Sequence, residues 1–228
     1  LEIEKRQFAK LASSPYAKNK VRTLFYGPRA ARPKPPAGVA ERIKSLGVIG
    51  GGTMGNGIAF TAARAGMNVV LIDISAEKAA ESHGRVSKIG EKLVSRNRMS
   101  AEQQAAIMSR VSASHDYAAL KDVDFVIEAV FERLDVKHEV YRKLEAVLRP
   151  DVTIASNTSS ILIGKLASVL KDPSRMIGMH FFAPVETMKL LEVIRSEQTS
   201  QKAFDEAQAV AAAMRKTQIV VKDGLGFY

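Results

Sequence analysis

The chain of 228 residues contains no cysteine. Disulfides, thiolate chemistry and cysteine-ligated metal sites are therefore excluded, and the composition fits a cytosol or an organelle matrix. Its four histidines, His83, His115, His138 and His180, show no ligand spacing, so no metal is expected. No apolar run approaches the roughly 18–20 residues of a membrane span, and no secretory signal pattern opens the sequence. An internal repeat is also lacking. What is present, 46% hydrophobic and 25% charged residues, is the balance of a globular protein long enough to bury a full core.

The net charge of +10 is unevenly placed. Residues 1–45 hold eleven Lys or Arg against three Glu, which is +8 of the total and leaves +2 for the remainder. A basic arm of this kind is one signature of nucleic-acid binding. Here no aromatic-interleaved patch or reading motif accompanies it, so a solvated helix face is the favoured reading and no nucleic-acid partner is expected. Residues 1–26 read as two helical pieces. Ser14-Pro15 suits an N-cap followed by proline at the first helical position, and Tyr16, Val21, Leu24 and Phe25 give the second piece an apolar side. Residues 27–38, with four prolines in twelve positions, read as an extended linker.

The organising stretch is Leu46-Gly-Val-Ile-Gly50-Gly-Gly52-Thr-Met-Gly55. An apolar run meets a glycine cluster and then a small-residue segment, Gly57 to Ala65, that reads as a helix closed by Gly66. Gly50, Gly52 and Gly55 stand at the G-x-G-x-x-G spacing. The first glycine makes the turn, the second lets a pyrophosphate approach the backbone, and the third lets helix and sheet pack closely, with helix N–H groups facing the anion. Alone the motif is weak evidence. A second run, Asn68-Val-Val-Leu-Ile-Asp73, ends in an acid 21 residues after Gly52, where a ribose-binding carboxylate belongs. A dinucleotide site is the consequence.

Downstream, Ser75 caps a helix running towards Arg98, and Ser100 starts another. Strands are expected at 123–130, 152–156, 176–182, 188–194 and 219–221. Helices are expected from Asp135, with Val136, Val140, Leu144 and Leu148 on one side, at 163–170 and at 200–215. This alternation implies a doubly wound α/β fold, Rossmann-like, whose mostly parallel sheet follows a helical leader. Ligands of such sheets bind beyond the carboxyl ends of the strands, where Asn157 to Ser160 fall. The only short strand-to-strand link, Ala183 to Thr187, implies an antiparallel pair. A hairpin centred on residue 186 sets His180 directly opposite Glu192, with Cβ atoms roughly 4.5–5.5 Å apart. A carboxylate so placed fixes the imidazole tautomer and stabilises the imidazolium formed when the other nitrogen takes a proton.

Gly47-Val-Ile-Gly-Gly-Gly-Thr-Met-Gly55, Val126-Ile-Glu-Ala-Val-Phe-Glu132, Ser156-Asn-Thr-Ser-Ser160 and Gly178-Met-His-Phe-Phe-Ala-Pro-Val185 occur in order, with Lys189-Leu-Leu-Glu192 behind them. Together they resemble L-3-hydroxyacyl-CoA dehydrogenase from about residue 45 to 228. Phe8-Ala-Lys-Leu and Lys18 to Tyr26-Gly27 resemble the helix that joins an enoyl-CoA hydratase domain to the dehydrogenase in multifunctional fatty-acid oxidation enzymes. Three segments follow: a connector (1–26), a basic linker (27–44) and an NAD-binding domain (45–228).

The resemblance implies roles. His180 is the general base, or the acid in reverse, with Glu192 its orienting partner, and Ser159 hydrogen-bonds the substrate's 3-oxygen. Gly50, Gly52, Thr53, Met54 and Gly55 cradle the cofactor, Asp73 holds the adenosine ribose, and Glu132, Lys137 and Asn157 lie along it. Asp73 is followed by Ile74 and Ser75, with no adjacent arginine to greet a 2′-phosphate, so NAD is expected over NADP. Val220 to Tyr228 looks like the segment leading into a helical C-terminal domain that completes the acyl-CoA pocket and the homodimer contact in the family. The fragment is thus expected to bind NAD and to turn over acyl-CoA poorly. A thiolase subunit in the parent complex is implied too, in a bacterial cytoplasm or an organelle matrix. The competing readings are an NAD-binding module without turnover and a dehydrogenase of a small free hydroxy acid.

Overall fold

Near-continuous apolar runs along successive strands build a sheet with one apolar core on each face. In the computed structural model, residues 2–23, 27, 35–224 and 226 are described. They belong to two units, residues 1–32 and residues 33–228.

The first unit holds α1 (Glu2–Ala12) and α2 (Pro15–Val21). Ser14 caps α2 as its sequence predicts, its Oγ accepting from Ala17 N at 3.2 Å with Pro15 in the first turn. Ile3, Phe8, Leu11 and Tyr16 are exposed. The side chain of Val21, Leu24 and Phe25, read as the apolar side of this helix, lie outside the described residues, as does most of the proline-rich stretch.

In the second unit a short helix, α3 (Val39–Arg42), precedes β1 (Ser45–Ile49), α4 (Thr53–Arg64) and β2 (Asn68–Ile72). Then come α5 (Ala76–Val94), α6 (Ala101–Met108), β3 (Val111–Ser114), β4 (Phe125–Glu128) and α7 (Leu134–Val147). The unit continues with β5 (Thr153–Ser156), α8 (Ile163–Ala167), β6 (Met176–Phe181), β7 (Leu190–Arg195), α9 (Gln201–Ala213) and β8 (Thr217–Lys222). The strands form one sheet in the order β3-β2-β1-β4-β5-β6-β7-β8. All pairings are parallel except β6 with β7. The doubly wound expectation holds, and strand order reverses between β1 and β4.

Alternate residues serve opposite cores. Leu46, Val48, Phe125 and Ile127 face α4 and α9, while Val126 and Ile154 face α7 and α8. Four expectations need correcting. Helix α4 starts at Thr53, not Gly57, so Gly55 lies inside its first turn. Strand β3 was not foreseen, because Val-Ser-Ala-Ser at a sheet edge carries little apolar signal. Helix α3 was not foreseen either. On α7 the buried stripe is Lys137, Val140, Tyr141 and Leu144 rather than one containing Val136, because a buried carboxylate supplies a partner for two polar side chains.

Candidate functional site

The glycine turn sits where strand order reverses. Gly50 has φ +99°, in the left-handed region, and a Cβ there would lie 2.8 Å from Ala129 O. A Cβ on Gly55 would stand 1.7 Å from Gly50 O, so no side chain fits at either position. Gly52 differs: a Cβ there meets nothing within 4 Å. It is the N-cap of α4, with no side-chain cap, so the first N–H groups of a 12-residue helix, including those of Thr53 and Met54, have no partner within the helix. Bare glycine, free N–H groups and room together fit a pyrophosphate.

Asp73 follows β2 beside this turn. Its carboxylate accepts from Ile74 N and Ser82 Oγ, both at 2.8 Å. Ser82 Oγ also lies 3.2 Å from Gly51 O, a carbonyl that takes Asn56 Nδ2 at 2.8 Å and Arg85 Nη1 at 3.2 Å. The sequence reading missed Ser82, Asn56 and Arg85. Two of them arrive from the second and third turns of α5, beyond β2 in the chain.

At the ends of β4 and β5 lies a second group. Glu128 is 0% exposed and its carboxylate takes four donors: Val130 N (2.8 Å), Lys137 Nζ (2.7 Å), Tyr141 Oη (2.6 Å) and Ser156 Oγ (2.7 Å). Lys137 is 1% exposed and turns inward, bridging Glu128 and, at 3.2 Å, Glu132 Oε2. Glu132, 38% exposed, uses its other oxygen on the loop after β5. That atom accepts from Thr158 Oγ1 (2.6 Å), Ser159 N (2.8 Å), Ser160 N (3.1 Å) and Ser160 Oγ (3.2 Å). Burial alone raises the carboxyl pKa of Glu132, but the Thr158 hydrogen bond and the Lys137 charge outweigh it and hold the group below the usual carboxylate range. The far end of the same loop is fixed by Asp223, whose two oxygens accept from Ile163 N and Gly164 N at 2.8 Å. Ser159 itself is exposed. Glu128, an acid at the end of an otherwise apolar strand and part of the Val126–Glu132 motif, is the sequence signal for this network.

Asn157 ties β5 to β6: Phe181 N–H donates to it at 2.9 Å, which requires the amide oxygen to face that strand. Next along β6, His180 pairs with Glu192 of β7 in the register that hairpin symmetry predicts. His180 Nδ1 lies 2.6 Å from Glu192 Oε2, with side-chain exposures of 17% and 6%. With an ionised glutamate, Nδ1 carries the proton and Nε2 of the neutral ring is basic. The Phe182 ring packs against the imidazole with centroids 4.6 Å apart and planes tilted by 50°.

The hairpin loop is anchored by Lys216, another residue the sequence reading missed. This buried ammonium donates to Val185 O at 2.5 Å and Met188 O at 2.8 Å, and Val185 packs where any Gly57 side chain would be. Burial pushes the Lys216 amine down to about 8, against an opposing pull from Glu186. The folded pKa is thus below the unfolded one, so the unfolded chain binds more protons between about 8 and 10.5. Relative to Lys216→Met, the wild type is expected to gain stability as pH rises through that window, with a slope of at most ~1.4 kcal/mol per pH unit. Urea unfolding of both proteins across the window measures it. A flat difference would mean that Lys216 keeps its ordinary pKa. Among the described residues, no three His, Asp or Glu side chains converge as a metal site, and no helix is long and apolar enough to cross a membrane.

Comparison with known proteins adds the relationship. Residues 45–224 match the family model described as 3-hydroxyacyl-CoA dehydrogenase, NAD binding domain. Fatty acid oxidation complex subunit alpha of Psychrobacter sp. (strain PRwf-1) is 38% identical over 229 residues, covering 100% of this chain and 32% of that protein. The chain thus spans about a third of the length of the curated relatives it matches. Among solved structures, (S)-3-hydroxybutyryl-CoA dehydrogenase PaaH1 from Ralstonia eutropha is 39% identical with a TM-score of 0.79, covering 81% of this chain and 65% of that one. FadB2 of M. tuberculosis is 35% identical with a TM-score of 0.79, at 81% and 66% coverage. With four-fifths of its length inside one family model, and a glycine turn shaped for a pyrophosphate, the chain belongs to the NAD-binding domain family of 3-hydroxyacyl-CoA dehydrogenases.

Proposed function

We propose that this chain is the cofactor-binding and proton-transfer half of an NAD-dependent enzyme that oxidises (S)-3-hydroxyacyl-CoA to 3-oxoacyl-CoA in fatty-acid β-oxidation. The observation that carries the reading is the 2.6 Å His180–Glu192 pair, on the same sheet as a glycine turn built for a dinucleotide. NAD, when bound, supplies the hydride acceptor. His180 takes the 3-hydroxyl proton at Nε2, and Glu192 holds Nδ1–H and offsets the imidazolium charge. Ser159 donates its hydroxyl to the 3-oxygen from the loop that Glu132 fixes. Gly50, Gly52, Thr53, Met54 and Gly55 hold the pyrophosphate, Asp73 the adenosine ribose, and Glu132 and Asn157 the nicotinamide half. Lys137 serves that half indirectly, because its buried ammonium positions Glu132.

Residues 1–26 connect to an enoyl-CoA hydratase domain and 27–44 form the linker, in a multifunctional parent whose helical domain completes the acyl-CoA pocket and the homodimer contact. In its support, the Psychrobacter relatives match across the leader as well and are about three times longer. A thiolase subunit and a bacterial cytoplasmic location complete the proposal. The test is NAD reduction by the parent protein with (S)-3-hydroxybutyryl-CoA, its (R) enantiomer and free 3-hydroxybutyrate. Oxidation of the (S)-thioester alone is expected. Oxidation of the free acid in its place, or NADH binding with no turnover of any of the three, rejects the reading.

A further inference from the structure

Three charged groups on α5 stand at the ribose end of the glycine turn and take no part in the chemistry above. Glu81 Oε2 lies 2.9 Å from Lys78 Nζ and 2.9 Å from Arg85 Nη2, so one carboxylate holds both cations. Arg85 also reaches inward, its Nη1 donating to Gly51 O. That carbonyl is shared with Ser82, whose hydroxyl is bonded to Asp73. A Cβ on Gly51 would fall 1.8 Å from Ser82 Oγ and 2.4 Å from Asp73 Oδ2, so turn, acid and α5 are in direct contact. A guanidinium that sequence adjacency does not supply is therefore present at the Gly51 carbonyl, delivered by the third turn of the helix that follows Asp73.

Its charge is already committed. Lys78 and Arg85 against Glu81 and Asp73 sum to zero. Without Glu81 the cluster would be +1, with a guanidinium able to grip a phosphate in bidentate fashion. A phosphomonoester carries about −1.5 to −2 at neutral pH, so this balance bears directly on whether a 2′-phosphate is tolerated.

We propose that Glu81 is a specificity-determining residue: by holding Lys78 and Arg85, it denies a 2′-phosphate its cationic partners and reinforces the preference for NAD over NADP that Asp73 sets. The hydrogen bond and charge of Lys78, with Arg85 behind it, hold the Glu81 carboxyl below the usual range, so the clamp is charged at neutral pH. All three side chains are about half exposed, so the effect is modest and sensitive to salt. The inference rests on NAD binding at the glycine turn.

The experiment is fluorescence titration of the full chain with NADH and with NADPH at low and high ionic strength. Glu81→Gln is expected to tighten NADPH about 5–10-fold at low salt, with NADH moving less than about twofold and the gain shrinking at high salt. Adding Arg85→Ala to Glu81→Gln is expected to remove most of the gain. An unchanged NADPH-to-NADH ratio in Glu81→Gln, or a gain that survives Arg85→Ala, overturns the proposal while leaving NAD binding intact. A wild type that binds neither nucleotide overturns the cofactor reading and this proposal together.

Discussion

In the parent protein, His180→Gln is expected to lower kcat/KM for 3-hydroxyacyl-CoA oxidation by roughly 10²–10⁴-fold, the range ascribed to a positioned general base. Glutamine is the informative replacement. Glu192 is nearly buried and its Oε2 sits 2.6 Å from Nδ1. Truncation to alanine would strand that carboxylate and cost about 1–3 kcal/mol in addition to any chemical effect. A glutamine amide can still donate to Glu192 but cannot accept a proton. NADH affinity is therefore expected to stay within about twofold, because the glycine turn and Asp73 make their hydrogen bonds to one another and to α5 rather than to His180. Steady-state oxidation and NADH titration on the same preparation separate the two quantities. A variant retaining more than about a tenth of wild-type kcat/KM would remove His180 from proton transfer.

Lys137→Met is the second large effect, and it falls on stability. Glu128 and Lys137 are both fully buried and 2.7 Å apart, so methionine leaves a carboxylate inside the protein without its cation. Breaking such a pair from one side costs about 3–5 kcal/mol. The three neutral donors from Val130, Tyr141 and Ser156 remain and soften the loss. Pairing Lys137→Met with Glu128→Gln removes the orphaned charge while keeping an amide oxygen for those donors. The double variant is expected to be more stable than the sum of the single losses by about 0.5–3 kcal/mol. Urea unfolding of the four proteins measures the coupling. Strict additivity would mean that the ion pair contributes nothing of its own. Loop 158–160 hangs on Glu132, so Lys137→Met should also loosen the site without touching any ligand.

The elements that the sequence made readable share one property: local pattern sufficed to identify them. The strand–turn–helix at Gly50 to Gly55, the Ser14, Ser75 and Ser100 caps and the alternating sheet each rest on residues within a turn of one another. The His180–Glu192 pair was legible for a related reason, since hairpin symmetry turns sequence distance into spatial opposition. What stayed hidden depended on partners far apart in the chain. Lys137 is expected along the cofactor beside Glu132, but its burial against Glu128 emerges only when β4 and α7 are brought together. Lys216 reads as the charge after a helix until it meets the carbonyls of Val185 and Met188. Arg85 lies twelve residues past Asp73, too far for adjacency but close once α5 turns back over the glycine loop.

The antiparallel register of β6 and β7 has an evolutionary meaning. Glu192 faces His180 because Met179 faces Val193 and Phe181 faces Leu191, and a shift by one residue would turn Glu192 to the opposite face of the sheet. Apolar packing thus polices the acid–base geometry. A core change that let the strands slip would erase the pair even with both side chains intact. Selection for a well-packed hairpin is therefore also selection for the alignment of His180 with Glu192.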